Sequence, residues 1–406
     1  MRFLKASYSS LSFIFFVLAI FAVPINADFA SLRLTDLFIV ISVLFLVGVN
    51  KIDKNVMGIS IFLGLVLILI ILSQLFGLHY SRTFRFEGVI FFIKWLLIYS
   101  SLIIIYFHLI KFDSNPQLIV KGVLFVFVVL SIWVYLYTYL VTSGVIHGSF
   151  RVSFPLSNDY LISDAHLYSS LLAILLFSYV FFLRILLDHN LYVSTSLTIT
   201  GFIALFLTGS RGGLLMLFVG SIPMGFYYLF VKKRTYLSLT KLSFLLVTVG
   251  VFILYFSFIF EFSDNYQALV SRAINFDLTS DQSSQGRLHK LTVAISETSY
   301  SGLFIGVGPL SAELDWYDGL IAILISHGGI LLLVTVLVSL SIFVFKVLGA
   351  KSNLYLKFLF FAIVSMYFVS NVITEFVFVT RSFFPVFIVI GLIVQYINDN
   401  IKIYRR

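Results

Sequence analysis

Runs of about twenty apolar residues follow one another along almost the whole of this 406-residue chain. Each run is long enough to cross a bilayer as one helix. The sequence therefore predicts an all-α, polytopic integral membrane protein with about 12 transmembrane helices, forming a single transmembrane domain over residues 1–406. The predicted spans are 8–24, 34–49, 55–77, 87–110, 117–141, 164–187, 191–208, 212–231, 242–260, 319–346, 355–373 and 377–397.

The composition leaves no room for a separate soluble domain. Charged residues make up 11% of the chain, whereas ordinary soluble domains contain about 25%. The longest polar segment, residues 261–317, is expected to form a large, partly helical external loop between the ninth and tenth spans. The absence of cysteine excludes disulfides and thiolate chemistry. The first 27 residues resemble a signal peptide, but the many spans that follow favour an uncleaved first span.

The distribution of basic residues predicts the orientation of the chain. With both termini in the cytoplasm, the cytoplasmic side holds 17 of the 27 lysines and arginines, and the external side holds nine. This is the bias of the positive-inside rule. The external set contains eight arginines and one lysine, and the cytoplasmic set is mostly lysine. Because the planar fork of arginine binds phosphate or carboxylate in two places, the external face is expected to bind an anionic group. The alternative is chance among few residues.

One external arginine has a distinctive setting, in "LTGSRGGLLML" at residues 207–217. Arg211 lies at the predicted start of the eighth span, where free backbone amides and the helix dipole attract anions. Glycines on both sides, including Gly212, permit a tight reversal and close approach of a ligand to the backbone. The sequence therefore predicts an anion-binding Arg211. The alternative is a hairpin whose arginine reaches only the lipid headgroups.

The large loop contains a second candidate. Within it, "TSDQSSQGRLHKLTVAISET" predicts a helix that begins near Ser283 or Ser284. Helical spacing places Arg287 on one face with Lys290, Leu291 and Ala294. His289 lies about 200° around the helix from Arg287, and it is kept as a further candidate for substrate binding.

Other external groups are candidates for acid–base chemistry or substrate binding. The general base has three candidates, Glu313, Asp315 and Asp318, and the alternative is that they are solvated loop carboxylates. Arg381 either pairs with Glu375 or donates to an anionic group. Tyr317 either stacks on a sugar or anchors at the interface. His327, in the tenth span, is expected to be a packed histidine rather than a catalytic one.

The order of these segments resembles the O-antigen polymerase and ligase superfamily, of the Wzy and WaaL type. The segments that carry the resemblance are "LTGSRGGLL", "QGRLHKLTVAI", "GLFIGVGPL" and "WYDGLIAILISHGGIL", within residues 164–345. The N-terminal half is similar only in its span pattern and in "LRLTDLFIV". The resemblance implies a GT-C-like glycosyltransferase that takes a glycan from undecaprenyl pyrophosphate at the periplasmic face of the bacterial inner membrane.

The same resemblance implies the site and its partners. Arg211 and Arg287 would bind the pyrophosphate of the donor, and no metal, nucleotide sugar or other cofactor would be needed. Ligases of this superfamily carry a histidine motif before the tenth span, where this chain reads "ELDWYDGL". This departure favours a polymerase of O-antigen, capsular or exopolysaccharide repeats, with membrane lipid, a flippase and a chain-length regulator as partners and no role for nucleic acid. The alternatives are a ligase that transfers glycan to lipid A core and a flippase for such lipids.

Overall fold

The structure is a computed structural model in which the described part of the chain is almost entirely helical. It describes residues 2–24, 28–29, 32–47, 53–80, 84–112, 115–145, 152, 154, 165–231, 282–301, 303–314, 317, 319–374 and 376–398. Two short strands, Asp28–Phe29 and Leu32–Arg33, pair antiparallel.

The described residues form twelve helices, several of which continue as π-helical turns. They are α1 Arg2–Ala22, α2 Leu34–Val47, α3 Lys54–Tyr80, α4 Val89–Ile105 (continuing over Tyr106–Lys111), α5 Pro116–Thr142, α6 Ala165–Ser178 (continuing to Leu186), α7 Leu191–Leu207, α8 Arg211–Phe226 (continuing over Tyr227–Val231), α9 Gln282–Glu297, α10 Leu320–Gly349, α11 Leu354–Ile373 and α12 Thr380–Asn398.

Eleven of the twelve predicted spans coincide with helices of the structure. The exception, the span at 242–260, lies outside the described residues. Seven helices are long and apolar enough to cross a membrane, and four shorter ones are apolar over 10–17 residues. The protein is therefore an all-α chain with the helices of a multi-pass membrane protein. The remaining helix, α9, is the one predicted in the external loop, and it begins within two residues of the expected position.

By its internal contacts the chain divides into two compact units, and each is described by itself. Unit 1 comprises residues 1–119, 278–350 and 368–395. In it α1 packs on α2, α2 on α4, and α10 on both α3 and α9. The Ser12 hydroxyl of α1 bonds to the Ser42 carbonyl of α2 at 2.9 Å and to His108 Nε2 at 2.9 Å. Such bonds between helices hold the bundle together where apolar burial alone gives no preference over lipid.

Unit 2 comprises residues 120–277, 351–367 and 396–406. Its centre is α6, which is almost completely buried and packs on α7 and α8. Small residues allow this close packing. A Cβ added at Gly213 would lie 2.9 Å from the Ser169 carbonyl oxygen, and one at Gly220 would lie 2.5 Å from Met366 Sδ.

Helices α3 and α4 run in opposite directions, as the predicted spans require. At one end, Asp53 accepts hydrogen bonds from the Asn55 and Val56 amides and caps α3. The same carboxylate accepts from Tyr106 Oη at 2.8 Å and lies 3.2 Å from Lys111 Nζ, at the end of the α4 segment. Burial raises the pKa of Asp53, but these hydrogen bonds and the lysine charge outweigh it and lower the pKa below its usual value. The start of α3 and the end of α4 thus share one side of the bundle, as the predicted topology requires of their cytoplasmic ends.

Candidate functional site

The first candidate region, in unit 2, is the turn between α7 and α8. Gly209 has a φ of 65°, which lets the chain reverse directly after α7. Ser210 follows in an extended conformation as the N-cap of α8, but its side chain makes no capping bond. Its hydroxyl instead lies 3.0 Å from His166 Nδ1 and accepts from the Ser169 hydroxyl at 2.8 Å. No side-chain cap therefore occupies the first amides of α8, and the helix begins at Arg211 as predicted. The side chain of Arg211 lies outside the described residues.

The two glycines after Arg211 differ in what surrounds them. A Cβ at Gly212 would lie 3.5 Å from Ser210 Oγ, 3.6 Å from His166 Nδ1 and 3.9 Å from Ser170 Oγ, which are ordinary contacts. Packing against α6 therefore requires glycine at 213, and not at 212. The three side chains nearest to a Cβ at Gly212 are polar. Together with Ser169, which bonds to Ser210, they form a group here called the serine–histidine cluster: His166, Ser169, Ser170 and Ser210. Sequence reasoning missed the cluster, although "HLYSS" at the start of an apolar span was a signal for it.

The second candidate region, in unit 1, is helix α9. The predicted face is confirmed: Ala294 is fully buried and Arg287, Lys290 and Leu291 are partly buried, on the side from which α9 packs on α10. His289 is exposed, as its position about 200° from Arg287 predicts. The structure therefore does not place His289 on the packed face with Arg287.

The last residue of α9, Glu297, connects that helix to two other segments. Its Oε1 accepts from the Glu313 amide at 2.8 Å and from the Tyr317 hydroxyl, and its Oε2 accepts from the Ser326 hydroxyl at 2.9 Å. Burial raises the pKa of the Glu297 carboxyl, and the three hydrogen bonds lower it by less, so the pKa lies above its usual value. Burial and the neighbouring carboxylate likewise raise the pKa of Tyr317, which keeps its hydroxyl protonated as a donor. Glu297 was not singled out from the sequence, because nothing in its local pattern distinguishes it from the other loop carboxylates.

Tyr317, for which the sequence left sugar stacking and interfacial anchoring open, is enclosed by protein. Its side chain is fully buried. One of its neighbours is the ring of His327, at 6.4 Å between centroids. A ring enclosed in this way has no open face for a sugar, because the tertiary packing of the loop covers it. The structure supports a role for Tyr317 in holding Glu297.

Helix α10 is interrupted where the sequence reads "SHGG". Gly329 has φ 71° and ψ −169°, which are not helical. The segment Leu303–Ser311, here called the docked loop, packs against this break: the Ser326 carbonyl accepts from the Val307 amide at 2.8 Å and from the Gly308 amide at 3.3 Å. Non-helical backbone within a membrane span persists only where protein or a water-filled cavity satisfies it. The docked loop supplies those bonds.

Helix α3 holds the other side of the docked loop. Gln74 Oε1 accepts from the Leu310 amide at 2.7 Å, and Gln74 Nε2 donates to Ser311 Oγ at 2.8 Å. A Cβ at Gly77 would lie 1.8 Å from the Val307 carbonyl oxygen. The "GVGP" segment is thus enclosed between α3 and the broken α10, an arrangement that hydropathy did not predict.

His327 lies directly at the break in α10. It is 1% exposed, its Nδ1 has no hydrogen-bond partner among the described residues, and its ring meets the ring of Phe91 edge-on at 4.4 Å. This burial agrees with the predicted packed histidine. Its position at a helix break was not predicted, since the span was expected to be continuous.

Arg381, at the start of α12 in unit 1, is 2% exposed. The turn that precedes α12 places Phe378 edge-on against Phe91 and Trp95 of α4. Because Phe91 also contacts His327, the start of α12 belongs to the same end of unit 1 as the break in α10. For Arg381 the sequence left two alternatives, pairing with Glu375 or donation to a ligand. Both stay open, because Glu375 lies outside the described residues.

The candidate carboxylates Asp315 and Asp318 also lie outside the described residues. Arg211 and Gly212 belong to unit 2, whereas Arg287, His289, Tyr317 and Arg381 belong to unit 1. Neither a known protein-family model nor a curated protein sequence matches this chain.

Proposed function

We propose that this protein is a GT-C-like, metal-independent glycosyltransferase that polymerises undecaprenyl-pyrophosphate-linked oligosaccharide repeats at the periplasmic face of the bacterial inner membrane. The product would be O-antigen, capsular or exopolysaccharide. The observation that carries the proposal is the start of α8: a permanent cation at the first residue of a helix whose N-cap serine makes no capping bond. An added Cβ at Gly212 would make ordinary contacts, so packing does not require glycine there, and we assign this position to the close approach of a ligand to the backbone.

The proposed reaction needs such a group. An acceptor hydroxyl oxygen on one repeat forms a bond to the anomeric carbon of the donor chain, while the bond from that carbon to the pyrophosphate oxygen breaks. The hydroxyl proton passes to a carboxylate base, and undecaprenyl pyrophosphate leaves with the bonding electrons. Negative charge therefore grows on the leaving oxygens, and cations and amides already aimed at them stabilise the transition state more than the ground state.

Arg211 and Arg287 are the groups that we assign to the pyrophosphate. Arg211 combines its guanidinium with the amides and the dipole of α8, which together favour an anion. Arg287 is only partly buried on α9, so it can reach a ligand while its stem packs. Arg381, buried at the start of α12, is assigned to a second anionic group of the substrate, either phosphate or an acidic sugar.

We assign the base to Asp318 or Asp315, which flank Tyr317 in the chain within two residues. Tyr317 itself is held by Glu297, so the sequence around the candidate carboxylates is attached to a fixed point. A rigid attachment of this kind favours catalysis, since misplacement by about 1 Å can cost about a hundredfold in rate.

Chain growth by the purified protein tests the proposal directly. Vesicles containing the protein would receive a lipid-pyrophosphate-linked repeat, with EDTA present, and the products would be resolved by size against protein-free vesicles. We expect a ladder of longer lipid-linked chains. Activity that disappears with EDTA and returns with magnesium or manganese would contradict the metal-free mechanism. Transfer to lipid A core without chain growth would instead identify a ligase, and movement of the lipid across the bilayer without transfer would identify a flippase.

A further inference from the structure

Glu297 is the point at which three segments of unit 1 meet. It ends helix α9, it accepts from the backbone of Glu313 and the side chain of Tyr317, and it accepts from Ser326 on α10. Both carboxylate oxygens are therefore engaged. These partners are 16, 20 and 29 residues away in the sequence, so the contacts fix tertiary placement rather than local helix structure.

One of these partners is also the anchor of the docked loop. Ser326 is fully buried, its hydroxyl donates to Glu297, and its carbonyl accepts from Val307 and Gly308. The side chain and the backbone of the same residue thus hold α9 and the docked loop together at the break in α10. Displacing Glu297 would therefore release α9 and loosen one side of this junction.

The position of Glu297 at the end of α9 has no explanation within the helix itself. The C-terminal end of a helix carries partial negative charge, and a carboxylate there is unfavourable. Among the described side chains of this helix, Ala294 is the one that is fully buried. Packing of α9 is therefore modest, and the three hydrogen bonds to Glu297 account for a carboxylate at this end.

We infer that Glu297 is a positioning residue of the glycan-transfer site: it fixes helix α9, and with it Arg287, relative to the docked loop and to the sequence around Tyr317. This inference rests on the proposed function. Glu297 acts through other groups, since its oxygens are occupied by protein donors. Arg287 lies ten residues earlier on the same helix, which is about 15 Å along the axis, so a small tilt at the C-terminal end moves the guanidinium by a larger distance.

The kinetic test compares two substitutions of Glu297 in the reconstituted full-length protein. Glu297→Ala removes the acceptor of all three donors, and we expect kcat for chain extension to fall at least tenfold, with KM for the lipid-linked repeat changed less than threefold. Glu297→Gln keeps an amide oxygen for Tyr317 and Glu313 and an amide N–H₂ that donates to Ser326 Oγ, so it should stay within threefold of wild type. Thr292→Ala is the control, because Thr292 is an exposed residue of α9 whose hydroxyl donates to the Leu288 carbonyl of its own helix.

Two kinetic outcomes would overturn the inference. One is a Glu297→Ala protein that extends chains at the wild-type rate. The other is a Glu297→Gln protein as slow as Glu297→Ala, because that result would mean that the negative charge matters and the position does not.

A spectroscopic test measures the placement of α9 without any reaction. The chain has no cysteine, so a single Thr292→Cys substitution carries one spin label on the exposed side of α9. Adding Glu297→Ala should make the label more mobile, whereas adding Glu297→Gln should leave the spectrum unchanged. Identical spectra for all three proteins would overturn the inference. If the wild-type protein extends no chains, the proposed function fails, and this spectrum still decides whether Glu297 holds α9.

Discussion

Replacing Gly306 by alanine should break the junction between the docked loop and α10. The added Cβ would lie 2.3 Å from the Ser326 carbonyl oxygen and 2.5 Å from the Gly328 amide nitrogen, both backbone atoms that cannot rotate away. Relieving the overlap requires the two segments to separate by about 1 Å, which stretches the bonds from Val307 and Gly308 to Ser326. Overpacking costs about 1–3 kcal/mol, and a buried group left without its hydrogen bond costs about 1–3 kcal/mol. We therefore expect a loss of about 2–6 kcal/mol from these two contributions.

The assay is thermal unfolding of the purified protein in detergent. With an unfolding entropy of about 2 cal/mol/K per residue, a loss of this size lowers the Tm by about 2–7 °C for a chain of this length. Gly64→Ala is the matched control: a Cβ there meets nothing within 4 Å, and alanine is the better helix former by about 1 kcal/mol. A Gly306→Ala protein with the Tm of wild type would refute the described junction.

Three further predictions concern topology, pH dependence and the serine–histidine cluster. Single cysteines introduced at positions 236 and 280 should be labelled from the cytoplasmic and external sides respectively, and the reverse labelling would invert the orientation. Folding lowers the pKa of Asp53, so the ionised carboxylate stabilises the protein above its unfolded pKa of about 4, and this stabilisation is lost as the pH falls through the folded pKa. The Tm difference between wild type and Asp53→Asn should therefore be largest near neutral pH. A Tm difference that persists undiminished at pH 2–3 would contradict this role of Asp53. Gly212→Ala should keep the wild-type Tm but slow chain extension at least fivefold, whereas Gly213→Ala should lower the Tm. Wild-type activity of Gly212→Ala would exclude close approach of a ligand to residue 212.

Hydropathy and charge predicted the elements of this fold well, because both are local properties of the sequence. Eleven predicted spans are helices, and α9 was found from its capping signal and from the spacing that buries Ala294. The start of α8 at Arg211 was likewise predicted, because glycines beside Arg211 permit a tight reversal before an apolar run, and the structure gives Gly209 a positive φ.

The tertiary features of the site could not be predicted in the same way. The break at Gly329 leaves the hydropathy of its span unchanged, so the span was expected to be continuous. The docked loop depends on bonds between residues far apart in sequence, such as Gln74 with Leu310 at a separation of 236 residues. Tyr317 was expected either to stack on a sugar or to anchor at the interface, because it lies in a polar loop, and only the packing of that loop shows that it is buried.

The rate of chain extension by Arg211→Lys decides whether the arginine at the start of α8 binds the pyrophosphate of the donor during glycan transfer. Lysine keeps the charge and can still reach the headgroups, but it loses the bidentate geometry. A charge-assisted hydrogen bond contributes about 1.5–3 kcal/mol, and about 1.4 kcal/mol corresponds to a tenfold rate. In the vesicle assay with EDTA, Arg211→Lys should therefore extend chains at least tenfold more slowly than wild type, with equal expression and insertion. The control is Arg85→Lys, at a predicted external arginine outside "LTGSRGGLL", and it should extend chains at the wild-type rate. Chains of normal length and yield from a well-expressed Arg211→Lys protein would contradict the account.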